Sequence, residues 1–195
     1  WEKIILRPQR TLEQLEETVR LIVRSLKETD EVLCANVPQI TPIIEEKVKF
    51  ITAQELLDHY PSLTAKQRED AVTKEYGTVF IEQIGGQLSN GQPHDGRAPD
   101  YDDWKLNGDL LIWDAVLNRA MEISSMGIRV DEASMIDQLN KAGCPERSVL
   151  PFHRALLAGD LPLTMGGGIG QSRICMLLLH KAHIGEVQAS LWPPI

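Results

Sequence analysis

Thr164-Met165-Gly166-Gly167-Gly168-Ile169-Gly170-Gln171-Ser172-Arg173 runs straight into the apolar segment Ile174-Cys175-Met176-Leu177-Leu178-Leu179. Glycine loses more backbone entropy on folding than any other residue. A run of it therefore marks backbone that must approach another group closely or adopt φ > 0. Ile174, Leu177 and Leu178 stand at i, i+3, i+4, which predicts a helix from Gln171 to Lys181 with one face on the core. Cys175, inside this apolar helix, is expected to be a buried thiol. The glycines lie at the helix N-terminus, where unpaired N–H groups and the positive dipole end favour an anion such as phosphate. Arg173 adds a permanent guanidinium. The alternative is a tight strand-to-helix turn whose glycines serve packing only.

Upstream, Ser148 to Ala158 is expected to be a helix ended by Gly159 and Pro162. Asp131-Glu-Ala-Ser opens another, through Lys141 to a stop at Gly143. Leu110 to Trp113 and Glu122 to Val130 read as strands, with Val116 to Met121 open between turn and strand. Thr78 to Ile84 is β-branched and aromatic, a strand ending at Gly85-Gly86. Thr52-Ala-Gln-Glu55 and Thr64-Ala-Lys-Gln67 fit capping boxes of two short helices, and Val48 to Ile51 a short strand. Lys66, Arg68, Glu69 and Asp70 read as a solvated face. Thr11 to Gln14 caps a long amphipathic helix reaching Asn36, with Leu12, Leu15, Val19, Ile22 and Leu26 at helical spacing. Trp1 to Leu6 reads as a strand. Strands and helices without βαβ alternation predict an α+β fold, a mostly antiparallel sheet flanked by helices, in a single domain over 1–195.

Two features suggest chemistry. From Gln87 to Trp104 the chain is polar and turn-rich, with His94, Asp95, Arg97, Asp100, Asp102 and Asp103 around Tyr101 and Trp104; so long a loop in a compact domain is usually functional or disordered. Asp109 and Glu122 each sit at the edge of an apolar strand, an unfavourable place for a carboxylate unless a cation or donors meet it. The pair suits Mg²⁺ shared with phosphate oxygens, or else forms two ordinary salt bridges. Glu122 and Arg129, seven apart, would face opposite ways on a regular strand; Gly127 offers a bulge that re-aims one of them.

The balance of 20 Lys+Arg against 28 Asp+Glu gives a net charge of −8, and no basic block is present. That argues against a nucleic-acid surface, which needs clustered cations. The three cysteines show no metal-ligand spacing. No apolar run approaches the ~18–20 residues of a membrane span. A reducing cytoplasm is the expected setting.

The glycine stretch is neither the Gly-x-Gly-x-x-Gly fingerprint nor a P-loop. It resembles motif 3 of the class II aminoacyl-tRNA synthetase fold, a Gly-rich strand followed by a helix whose arginine lies against ATP. Glu82-Gln-Ile-Gly-Gly, His94-Asp-Gly-Arg-Ala-Pro-Asp-Tyr-Asp-Asp-Trp104, Leu106-Asn-Gly-Asp109, Glu122-Ile-Ser-Ser-Met-Gly-Ile-Arg129 and His183-Ile-Gly-Glu-Val-Gln-Ala-Ser-Leu-Trp192-Pro resemble, in order, the ammonia-dependent asparagine synthetases. The resemblance implies a ligase that joins L-aspartate and ammonia at the expense of ATP, with Mg²⁺, through a β-aspartyl-adenylate, in a homodimer that binds neither nucleic acid nor membrane. It places ATP against Gly166, Gly167, Gly168, Gly170 and Arg173, and the metal at Asp109 and Glu122. Arg129 would grip the α-carboxylate of aspartate, with Ser124 and Ser125 donating nearby, while Arg97 and Asp102 lie at the reacting groups and Asp102 meets the amino group or takes a proton from ammonium. Competing readings are an aspartyl- or asparaginyl-tRNA synthetase core, and a non-catalytic sensor of an amino acid or adenylate. The resemblance also implies that the chain is the C-terminal portion of a longer one. Further residues are expected between Trp104 and Lys105, as a mobile lid beside the site.

Overall fold

The computed structural model describes residues 1–191; Trp192 and Pro193 of the last quoted block lie outside them. Six strands form one sheet in the order β1 (Glu2–Ile4), β6 (Thr164–Ile169), β5 (Arg119–Arg129), β4 (Asp102–Asp114), β3 (Thr78–Glu82), β2 (Lys49–Thr52). Only β2 and β3 pair in parallel. The α+β class with a mostly antiparallel sheet is what the structure has.

One face of the sheet buries the amphipathic helix α1 (Leu12–Asn36). Its Leu15, Val19 and Val23, at helical spacing, pack with Phe80, Leu110, Ile123, Met126 and Ile128. Thr11 closes the helix by accepting the Gln14 N–H at 3.2 Å. The helix after the glycines, α6 (Gln171–Leu178), adds Met176, Leu177 and Leu178 to the same layer. At one end of the opposite face, α2 (Ala53–His59) and α3 (Ala65–Tyr76) cover Val79, Ile81 and Leu111 with Leu56 and Val72. Both of these helices open with the complete capping boxes that Thr52 and Thr64 predict, each hydroxyl satisfying an otherwise unpaired N–H. Beyond the sheet, Val130 joins Met135 and Leu139 of α4 (Glu132–Lys141) and Leu156 of α5 (Pro151–Leu157) in a separate core.

Several readings need correction. The helix expected from Ser148 begins only at Pro151, after a 3₁₀ turn over Pro145–Val149. The residue before a proline is pushed to extended backbone, and Leu150 has φ −68°, ψ 155°. Helix α6 stops at Leu178, and Cys175 is exposed, not buried. The supposed solvated face is largely interior. Arg68 and Glu69 are buried, Arg68 donates to the Leu63 carbonyl at 2.7 Å, and Asp70 accepts the Ala120 N–H at 2.8 Å. Residues 115–118 form the turn between β4 and β5, with Asn118 at φ 51°, and β5 starts at Arg119.

The bulge that re-aims β5 is not at Gly127. Leu110 pairs with Ser124 and Leu111 with Glu122, so Ile123 is the extra residue. Because the bulge shifts the alternation by one, Glu122, Ser125, Gly127 and Arg129 share the face opposite α1. A second irregularity lies in β4. Asp102 pairs with Arg129 and Asn107 with Gly127, so 103–106 bow out of the ladder, and the Trp104–Lys105 step falls within this bow.

Glu82 ends β3 almost wholly buried on the α1 side, with Oε1 unpartnered. Burial, reinforced by Glu16 and Glu55, pushes its carboxyl from 4.5 up to about 7. Between those values the folded state keeps a proton that the unfolded chain has released, so stability falls as pH rises through this window and levels off above it. At ~1.4 kcal/mol per unit the loss is of order 3 kcal/mol. Glu82→Gln should therefore raise the melting temperature at pH 8 and leave it nearly unchanged at pH 5, as thermal unfolding at the two pH values would show.

Candidate active site

On the face opposite α1, where β4, β5 and β6 meet, a cleft of about 460 Å³ is walled by Arg97, Asp102, Glu122, Ser125, Arg129, Gly168 and Arg173 among others. Three separate stretches of sequence, 97–102, 122–129 and 167–173, converge here. Ser124, Gly167 and Gly170 also reach the wall, whereas Asp109 and Gly166 stand just behind it. A larger hollow of about 1060 Å³ lies by the β4 bow, around Trp104 and Gln138; it gathers no arginine and none of the expected site residues.

Arg129 is the most elaborately held group. Its Nε and Nη2 donate to Glu2 at 3.2 and 2.8 Å, its Nη1 bonds Asp102, and its guanidinium carbon lies 4.1 Å from the centroid of the Tyr101 ring. Arg10 supports the same strand end from below, donating to the Arg129 carbonyl at 2.5 Å and to Asp103 at 2.9 Å. Three of the five guanidinium N–H groups are thereby used, leaving two for a ligand. Burial opposes the positive charge, but Glu2 and Asp102 outweigh it and keep Arg129 firmly protonated. Burial conversely lifts the Asp102 carboxyl above the usual aspartate range, with Arg129 pulling the other way.

The glycines explain how this cluster fits. Gly166 stands between Glu2 and Gly127 across three strands. A Cβ on Gly166 would collide with the Glu2 carboxylate and Arg129, and one on Gly127 would lie 2.9 Å from Asp102 Cγ. A Cβ on Gly167, which faces α1, would strike Met126. These three glycines are thus required by packing, and none adopts the positive φ that the sequence left open. Gly168 is different, since a Cβ there would meet nothing within 4 Å. The fold alone does not need glycine at 168, but a ligand lying against the backbone would.

The other arginines are paired too. Arg97 Nη2 bonds Asp109, whose second oxygen is buried without a partner. Burial raises the Asp109 carboxyl, and Glu122 adds to the rise while Arg97 and Ser125 oppose it. Arg173, at the first turn of α6 and half exposed, donates to the Glu122 carbonyl at 2.8 Å and to its carboxylate at 3.2 Å. Ser124, expected to donate toward the substrate, instead gives its hydroxyl proton to the Gly168 carbonyl at 2.7 Å. Sequence reading overlooked Glu2, Arg10 and Gln138. Gln138 is buried and bonds Pro99 O, Asp102 O and Trp104 N. Nothing local marks Glu2 or Arg10, because their partners lie 93 to 127 residues away.

An antiparallel sheet with a Gly-rich strand leading into an arginine-bearing helix defines the catalytic-core fold of class II aminoacyl-tRNA synthetases. Solved structures agree. The asparaginyl-tRNA synthetase of Pyrococcus horikoshii superposes with TM-score 0.67 at 17% identity, covering 98% of this chain and 49% of that one. That of Entamoeba histolytica, in complex with asparaginyl-adenylate, gives 0.63 at 17% identity, over 96% and 44%. Within this class, the family model described as aspartate-ammonia ligase matches residues 1–195, and the chain belongs to that family. The aspartate–ammonia ligases of Clostridium perfringens and Lactobacillus johnsonii are 59% and 58% identical to it, over 98% and 100% of this chain. That of Parabacteroides distasonis is 52% identical over 202 aligned positions. The chain spans 57%, 58% and 59% of the length of these three relatives.

The glycines thus divide into two roles. Gly166→Ala should destabilise the fold by about 1–3 kcal/mol through overpacking, whereas Gly168→Ala should leave the melting temperature unchanged or slightly raised. Thermal unfolding of the two variants distinguishes them.

Proposed function

We propose that the chain carries the catalytic site of an ATP-dependent ligase that makes L-asparagine from L-aspartate and ammonia. The observation that carries this reading is the convergence in one cleft of Arg129, Arg97 and Arg173, each already paired with a carboxylate, around an uncrowded Gly168. Family membership and the fold shared with a synthetase solved with an adenylate support it.

In this reading the two free N–H groups of Arg129 hold the α-carboxylate of aspartate, a bidentate task that lysine cannot perform. The Asp102 oxygen not engaged by Arg129 accepts the substrate ammonium. The β-carboxylate is then free to attack the α-phosphorus of ATP. A phosphorus–oxygen bond forms as the bond to the pyrophosphate oxygen breaks, giving β-aspartyl-adenylate and pyrophosphate. Ammonia adds to the acyl carbon, AMP departs and one proton is released, for which Asp102 is the nearest base. Positioning and charge neutralisation supply most of the acceleration. Arg173 sits where the polyphosphate would pass the α6 N-terminus, and Arg97 faces the reacting groups.

The residues fit a magnesium ion. Asp109 offers a buried oxygen engaged by no ion pair, and Glu122 lies on the same face. That matches a cation held by one or two carboxylates together with substrate oxygens; when bound, it would neutralise polyphosphate charge. The bow at 103–106 is where the further residues expected after Trp104 would enter, as a lid beside the site. No helix among the described residues is long and apolar enough to cross a membrane. Homodimerisation and a cytoplasmic setting complete the proposal.

Arg173→Ala should lower aspartate-dependent exchange of pyrophosphate into ATP by ~10²–10³ with the melting temperature retained. Activity within a few-fold of the parent would remove Arg173 from this role. Asp109→Asn and Glu122→Gln should each raise the Mg²⁺ concentration needed for half-maximal exchange. Unchanged Mg²⁺ dependence in both would make the pair ordinary ion-pair partners of Arg97 and Arg173.

A further inference from the structure

Arg97 is delivered to the cleft by a loop that the main chain does little to hold. The main chain of 94–100 belongs to no helix or strand and contributes little beyond a turn at Pro99 and Asp100. Side chains tie it instead: Gln138 donates to the Pro99 carbonyl at 3.0 Å and Trp104 Nε1 to the Ala98 carbonyl at 3.3 Å, and two histidine–carboxylate contacts flank Arg97, one three residues before it and one three residues after, the latter carboxylate shared with Arg147 at 3.4 Å. On the first side, His94 of the loop places Nε2 3.2 Å from Glu69 Oε1 on α3, while Lys66 binds the other Glu69 oxygen at 2.6 Å. Burial would raise the Glu69 carboxyl, but these contacts outweigh it and hold it below its usual range. On the second side the polarity is reversed. Asp100 belongs to the loop, and His153 of α5 places Nε2 3.0 Å from its Oδ2. Both imidazoles are nearly inaccessible, with side chains 1% and 7% exposed.

We propose that Glu69–His94 and Asp100–His153 form a pair of clamps whose task is to position Arg97 against Asp109; this rests on the reading of Arg97 given above. Three observations favour it over ordinary core packing. Each imidazole leaves Nδ1 buried without a partner, a penalty that a side chain chosen for packing alone would not carry. The clamps anchor to helices on separate cores, α3 and α5, so together they fix the loop in two directions. Among the described residues the hydrogen bonds and ion pairs of Arg97 go to its neighbours Asp95 and Gly96 and to its target Asp109, with Nε buried and unpaired. Its guanidinium therefore goes where the loop puts it. A carboxylate accepting from Nε2–H also fixes each ring's orientation. Glutamine extends an amide N–H to about the same reach as Nε2, so it is the conservative replacement.

The test uses the intact protein and two readouts. The first is aspartate-dependent exchange of pyrophosphate into ATP for His94→Ala, His153→Ala and the corresponding Gln variants, each also in an Arg97→Ala background. The second is hydrogen exchange of the amides between 95 and 100. Each Ala variant should lose about 10- to 100-fold in kcat, the scale of an ångström-sized misplacement, with KM for ATP within threefold. Gln should restore most of the loss, and neither Ala variant should reduce activity further once Arg97 is Ala. The loop amides should exchange faster while those of β3 and β5 stay protected. Losses that add to Arg97→Ala, exchange that rises throughout the sheet, or a loosened loop with kcat within twofold of the parent would each overturn the clamps. If Arg97→Ala alone keeps activity, the role given to Arg97 falls, and unaltered loop exchange in the His variants would then dispose of the clamps separately.

Discussion

A guanidinium laid between two carboxylates is the interaction on which the rest of the site depends. Arg129 reaches Glu2 across β6 and Asp102 on the adjacent β4, and neither contact exists unless the strands between and beside them are bare. Gly166 and Gly127 supply that bareness. An arginine removed from water without partners would be prohibitively unfavourable. Two carboxylates make its burial tolerable, and their geometry leaves its remaining donors pointing one way. The pairing thus does for the arginine what a substrate carboxylate would otherwise have to do, and a ligand meets a group already desolvated and oriented.

The same device recurs with Arg97 and Asp109, and with Arg173 and Glu122. A protein with a net charge of −8 can in this way present three guanidiniums to an anionic ligand without an uncompensated positive field. Short-range donors survive the pairing even though the net positive charge around them does not.

Much of this could be read from the chain. Long periodic elements such as α1, the two threonine capping boxes and the strand-to-helix turn at the glycines rest on local spacing and stand where spacing puts them. What escaped depends on partners distant in sequence. Gly127 looked like the bulge because glycine often marks one, but a bulge is a property of pairing register, and the register places it at Ile123. Arg68 and Glu69 looked solvated because charge runs on short helices usually are; the Leu63 carbonyl and His94 bury them. The glycine run was read as one feature. Only the neighbouring strands divide it into Gly166 and Gly167, which packing requires, and Gly168, which it does not.

The path by which Arg129 is secured also bears on how the molecule is assembled. Glu2 and Arg129 are separated by 127 residues, and Trp1 bonds Gly167 across 166. Strand β6 enters the sheet between β5 and β1, so the first strand cannot approach the arginine before one of the last has docked. Such contacts form slowly because a long loop must close before they return any free energy. The site is therefore among the final things the chain makes. A molecule whose sheet is incomplete carries Arg129 exposed and unaimed, and the ability to bind ligand becomes a sign that folding has finished.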